Sequence, residues 1–199
     1  MASDLDIICD KCGGLAKFEF ALIREITRKA DRAFFEKSRD FVVLPAMYAG
    51  SYKRAAYFPN LGNNLENISR LPEGHSVNEW QASKSGFTVN GQSGLGVITC
   101  PSCQQHRRHE LQWPDDAYFS VDYKGHRLWA YNRAFAVKLL NYIRSDERKK
   151  GIKGYIDLGD RKIEIDGVDS FLHRIPKIFQ SKKARHHIVD KLEKKLQPV

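Results

Sequence analysis

The chain's four cysteines fall into two C-x-x-C pairs, Cys9 and Cys12 in CDKCGG and Cys100 and Cys103 in CPSC. A tight turn carrying two thiolates at this spacing points both at one spot, and two such turns close a tetrahedral zinc site with Zn–S near ~2.3 Å. The glycines after Cys12 and the Pro-Ser between Cys100 and Cys103 suit those turns. Between the pairs lie 87 residues, 13 to 99, but chelation requires closeness in space alone. The set predicts one Zn²⁺ bound by Cys9, Cys12, Cys100 and Cys103. Four protein sulfurs leave no open position, so the metal would be structural and would contribute folding energy. A redox dithiol or unligated core thiols are the alternatives. Neither pair opens a helix after a buried strand, which a thioredoxin-like site would require.

Other residues that could do chemistry are less well arranged. His106 and His109 follow the second pair in HRRHELQW. Residues three apart on a strand face opposite sides, so the two cannot easily serve one metal and are expected to be exposed. A His-Asn-His nuclease would need a histidine couple between the knuckles, yet only His75 lies there, with no acidic neighbour. Asp157 with Asp160-Arg161-Lys162 loosely matches a carboxylate nuclease, but the spacing is that of an ordinary turn. Asp115-Asp116 after Pro114 likewise reads as a turn or helix start. The glycine cluster GQSGLG at 91 to 96 lacks the lysine of a phosphate loop.

Charge points to a different kind of function. The net charge is +9, with 18 Lys+Arg against 15 Asp+Glu in residues 1–143 and 15 against 9 in residues 144–199. A local basic excess suits a polyanion, DNA or RNA before membrane, although a merely solvated surface has the same composition. Lys182, Lys183, Arg185, Lys191, Lys194 and Lys195 line the polar face of the last helix, and Arg107 and Arg108 add cations beside the second knuckle. Tyr118, Phe119, Tyr123, Trp129 and Tyr131 could stack bases if exposed; packing as core is the favoured reading. No apolar run approaches the ~20 residues of a membrane span. The acidic start MASDLDIICD lacks the pattern of a signal peptide, so a cytoplasmic location is expected.

These residues must be placed by an α+β framework. GGLAKFEFAL alternates as a strand leaving a glycine turn. Residues 23–39 place Ile23, Ile26, Ala30, Ala33, Phe34 and Lys37 at helical spacing, which predicts a helix. FVVLPAMY and SYKRAAYFP read as strands around Gly50, Ser76 with Glu79 as a helix start, and SGFTVNGQSGLGVIT as a hairpin-like return to the second knuckle. HRRHELQW continues as a strand. AYFSVDYKGHRLWAY predicts a hairpin turning at Lys124-Gly125. Asn132 can cap a helix with the stripe Phe135, Leu139, Tyr142 and Ile143. KGIKGYIDLGDRKIEIDG reads as loop or irregular strand, and Ala184, Ile188, Leu192 and Leu196 mark a final amphipathic helix.

Three blocks, AAYFPNLGNNLENISRLPEG, LQWPDDAYFSVDYKGHRLWAYNRAFAVKLLNYI and FLHRIPKIFQSKKARHHIVDKL, resemble recurring blocks of a family of uncharacterised bacterial zinc-ribbon proteins. Members are sometimes labelled as TFIIB-type zinc ribbons or, by weak similarity, after the replication-restart helicase. The resemblance implies zinc at the four cysteines and no established activity. The expected fold is α+β: a discontinuous zinc ribbon with an inserted α+β segment, a β-hairpin and C-terminal helices. The expected organisation is a domain over 1–145, with knuckles at 9–12 and 100–103 and insertion 13–99, and a basic extension over 146–199 packed on it. The functional expectation is a zinc-stabilised nucleic-acid-associated binder without evident catalysis. A protein-interaction adaptor with a protein partner and a metal-dependent nuclease are the alternatives.

Overall fold

A computed structural model describes residues 5–46, 48–59, 61, 71–72, 76, 80–82, 94–144, 154–157, 162–165 and 175–197, the backbone alone for 154–157 and 162–165. The fold mixes helices with antiparallel sheets, as the α+β expectation requires. The chain divides into two compact units, Ile7–Asp116 and Met1–Asp6 with Ala117–Val199. The last helix shares a core with residues 119–143.

One sheet has the order β1-β2-β7-β8, formed by Leu5–Ile8, Leu15–Phe20, Leu95–Thr99 and His106–Glu110, the last three strands lying in the unit Ile7–Asp116. Strand β2 buries Ala16, Phe18 and Phe20 and exposes Lys17 and Glu19, the period-two pattern of a half-buried strand. It pairs with β7 from Lys17↔Thr99 to Phe20↔Gly96, and β7 pairs with β8 from Leu95↔Glu110 to Thr99↔His106. Gly96 is required by closeness: a Cβ there would overlap the Glu19 carbonyl oxygen and the Phe18 ring.

The second sheet has the order β4-β5-β3-β6, from Phe41–Leu44, Arg54–Tyr57, Leu22–Glu25 and Gln81–Ala82. Residues 22–25 are thus a strand, and helix α1 covers only Lys29–Lys37 of the predicted 23–39. The ladder explains the difference. Leu22 and Ile23 pair with β5 on one side and β6 on the other, so tertiary pairing outweighs a helical spacing that β-branched Ile23 supports weakly. Strand β5 is buried on both faces. Ala55 and Tyr57 join Ile26, Phe35, Phe41 and Trp80, while Ala56 joins Ala21, Phe58 and Val97. Phe41 stacks on Trp80 at 5.4 Å and meets Phe35 edge-on at 4.9 Å.

In the other unit, Phe119–Tyr123 (β9) and His126–Ala130 (β10) form the predicted hairpin. Lys124 and Gly125 both have positive φ, 50° and 76°, as a two-residue turn matched to strand twist requires. Helix α2, Arg133–Arg144, begins where the Asn132 side chain accepts Phe135 N–H at 3.1 Å. Its start is further fixed by the buried Asp6 carboxylate, which accepts Arg133 N–H at 2.7 Å. Helix α3, Lys182–Leu196, is capped by Ser181, whose hydroxyl accepts Ala184 N–H at 3.2 Å. Phe119, Val121, Leu128, Leu139, Ile143, Phe179, Ile188 and Leu192 close one core between hairpin and helices. Gly154–Asp157 (β11) and Lys162–Ile165 (β12) pair antiparallel within the stretch expected as loop or irregular strand.

Candidate metal centre

The two C-x-x-C pairs sit on equivalent turns. Between β1 and β2, Cys9 N–H donates to Gly14 O at 2.8 Å and Gly13 turns the chain at φ 73°. Between β7 and β8, Cys100 N–H donates to Gln105 O at 2.9 Å and Gln104 turns the chain at φ 56°. Each turn therefore bonds the first cysteine to the residue five on and places the residue four on in the left-handed region. Glycine adopts that conformation freely in the first knuckle, whereas Gln104 carries some strain in the second. Antiparallel β2 and β7 hold the two knuckles at the same end of one sheet.

All four Sγ atoms lie within 4.8 Å of one another, so the set could hold a metal ion. The Cys9–Cys103 and Cys12–Cys100 sulfurs are each 3.6 Å apart. A tetrahedron with metal–sulfur bonds of ~2.3 Å has edges of about 3.8 Å, whereas a disulfide requires ~2.05 Å. The spacing is that of shared ligands. Cys9 and Cys100 are buried, Cys103 is half-buried and Cys12 is exposed.

Sulfurs this close cannot all ionise independently. The Cys103 backbone N–H is the main group favouring the Cys100 thiolate; it and the neighbouring thiols outweigh burial and lower Cys100 to about 6. The Gly14 backbone N–H favours a Cys12 thiolate, but the other sulfurs and burial push Cys12 up to about 12. Burial chiefly raises Cys103. A divalent cation would relieve this mutual opposition by replacing protons.

A polar bracket spans the two knuckles. Gln105 Oε1 lies 3.4 Å from Cys9 Sγ, and its Nε2 donates to Asp10 Oδ1 at 3.0 Å. Arg107 pairs with the other Asp10 oxygen. Slight burial works against ionisation of Asp10, but Gln105 and Arg107 together hold its carboxyl below the ordinary range. No sequence motif marks this bracket. Its only trace is an acid inside one knuckle and a cation shortly after the other.

The group that could hold a metal ion among the described residues contains neither histidine. His106 is exposed, as expected. His109 is not: its side chain is 14% exposed, its Nε2 lies 2.8 Å from Asp116 Oδ2, and its ring meets Phe18 edge-on. Strand alternation carries the inward-facing position onto Phe18, and the 112–116 turn supplies the partner. Asp116 also accepts Gln112 N–H at 2.7 Å, so it serves a turn. Asp157 and Lys162 oppose each other on β11 and β12. Asp160, Arg161, His75, Glu79 and most of the glycine-rich return lie outside the described residues.

The basic residues separate into exposed and engaged groups. Lys182, Lys183, Lys191 and Lys194 are exposed on α3, Lys194 within 3.2 Å of Asp190. Arg185 is half-buried. Lys195 departs from the expected exposed face: it turns inward, donates to Tyr118 O at 2.6 Å, and burial lowers its pKa. Arg107 is engaged with Asp10, and Arg108 lies over the Phe58 ring at 4.6 Å. Phe119 is core, and Tyr118, Tyr123, Trp129 and Tyr131 are half-buried. Among the described residues the most exposed tyrosines are instead Tyr48 and Tyr52, at 72% and 52%, on the turn between β4 and β5. No described helix is long and apolar enough to cross a membrane. Comparison with family models, curated proteins and solved structures gives no match.

Proposed function

We propose that the protein is a zinc-stabilised binding protein that associates with nucleic acid, its metal serving the fold and not a reaction. The observation that carries the metal half is the complete sulfur set with edges of tetrahedral size. All-thiolate tetrahedral coordination favours zinc or iron, and a four-sulfur shell leaves no position for substrate or water. Resemblance to bacterial zinc-ribbon proteins agrees with the choice of zinc. Bound there, zinc would tie the β1–β2 turn to the β7–β8 turn, with Cys9, Cys12, Cys100 and Cys103 as ligands. Gln105 and Asp10 would steady the shell from outside.

The nucleic-acid half is supported by the exposed lysines of α3. Lys182, Lys183, Lys191 and Lys194 offer point charges without a base-reading fork, so contacts would go to phosphates. Binding should be indifferent to sequence and steep in salt. A gel-shift titration with single- and double-stranded DNA and RNA across salt concentrations tests this. Retardation at low salt that vanishes as salt rises is the expected result. Absence of retardation for all four would remove the nucleic-acid reading and leave a protein partner in its place.

A further inference from the structure

The C-terminal end of α2 and the first turns of α3 border a groove of about 540 Å³, lined by Ile143, Arg144, Lys182, Arg185, His186 and Val189. That volume lies in the range of small-ligand sites, ~300–1,000 Å³. Ile143 closes the groove from within the core, Val189 supplies the accessible apolar surface, and the other four described lining residues are basic. Glu193 pairs with Arg144.

Charge at this place runs against the helix's own preference. The N-terminus of a helix carries partial positive charge and is stabilised by acidic side chains. The first turn of α3 holds no acidic residue and presents Lys182 and Lys183, with Arg185 and His186 close behind. Like charges three and four apart on a helix repel. The arrangement weakens the isolated helix, and an anion in the groove would reverse both effects at once. The cations come from two helices and converge on a concavity with accessible apolar surface, so the complementary ligand joins a compact multiple charge to an apolar ring.

We propose that this groove binds the phosphomonoester of a nucleotide, with the phosphate against Lys182, Arg185, His186 and Arg144 and the nucleoside over Val189. A phosphomonoester carries about −1.5 to −2 charge at pH 7, against a single charge on a backbone diester, and so better matches a cluster of several cations. The choice of nucleotide over another phosphate ester rests on the nucleic-acid reading; the phosphate seat itself does not. The source is either a free mononucleotide or the terminal phosphate of an oligonucleotide.

The test uses the whole metal-loaded chain at fixed low salt. Adenosine monophosphate is compared with adenosine by calorimetry. A 5′-phosphorylated single strand is compared with its 5′-hydroxyl counterpart by fluorescence anisotropy. At least one phosphorylated member should bind about tenfold tighter than its partner, equivalent to one phosphate-directed interaction of ~1.4 kcal/mol. Lys182→Glu should erase that preference without unfolding the chain, since Lys182 is exposed and an acid suits a helix N-terminus. Lys37→Glu, exposed on α1 and outside both the groove and α3, should leave the preference intact. Arg144→Gln provides a second variant from the opposite helix. Equal affinity within both pairs overturns the proposal, as does a preference that survives both Lys182→Glu and Arg144→Gln. If unphosphorylated strands bind with steep salt dependence but no phosphate preference appears, the groove fails and the nucleic-acid reading stands. A preference confined to the mononucleotide, with no strand binding, supports the groove and removes that reading.

Discussion

At the metal centre the four sulfurs differ in readiness to ionise, and that difference sets how metal uptake depends on pH. Cys100 is lowered to about 6 and Cys12 raised to about 12 in the metal-free protein. At about pH 7.5 Cys100 has already lost its proton, whereas at about pH 5 it holds it; since ligands must be deprotonated, uptake at the higher pH should release about one proton fewer from this thiol. Affinity should fall as pH falls, because protons compete for the same sulfurs. Paired calorimetric titrations in buffers of different ionisation enthalpy measure the release; a count that stays constant across this range would contradict the assignment of Cys100 as the first thiolate. His109 makes a contrasting prediction. Replacing His109 with Gln should cost about 1–2 kcal/mol through loss of the Asp116 link, with metal stoichiometry unchanged. A lost metal would make His109 part of the shell.

Among the elements, the β2–β7 pair matters most to the site because it brings the knuckles together, and Gly96 is where it is tightest. Gly96→Ala would force a methyl group onto the Glu19 carbonyl and the Phe18 ring, so it should destabilise by more than about 1–3 kcal/mol and weaken metal retention with it. Urea unfolding with metal analysis checks both. Helix α3 allows a test of the opposite kind. Lys183, Lys191 and Lys194 are exposed, so changing all three to Glu should shift stability by less than about 0.5 kcal/mol per site while abolishing strand retardation. Each single change should flatten the log-affinity against log-salt slope by about 0.7 to 0.9. Arg185 and Lys195 do not belong in that set, since both are half-buried. Elements whose signal is local were legible in the sequence: the Lys124-Gly125 turn, the Asn132 cap and the apolar face of α3 follow from residues within a few positions of one another. Strand β3 was not, because its identity depends on partners at 54–57 and 81–82. The inward turn of Lys195 was equally hidden, for its acceptor is the carbonyl of Tyr118, 77 residues away.

For the molecule as a whole, the convergence of the four cysteines was readable because two C-x-x-C pairs have the spacing of metal-binding turns, while the Gln105–Asp10–Arg107 bracket and the α2–α3 groove arise only once distant segments meet. A metal held by the four cysteines would cross-link turns separated by 87 residues. By analogy with a covalent cross-link of that span, it would restrict the unfolded chain by about 4–5 kcal/mol in chain-entropy terms, in addition to the metal–sulfur bonds. Chelation should therefore lower the melting temperature of the unit Ile7–Asp116, followed by hydrogen exchange at β2 and β7. Cys100→Ser should do the same without any chelator. The central claim is tested most directly by elemental analysis of the wild-type chain purified without chelator, alongside Cys100→Ser. About one zinc per chain in the wild type, and a loss of most of it in the variant, is the result the account predicts. Less than half an equivalent in the wild type, with all four thiols free to react under native conditions, would contradict it.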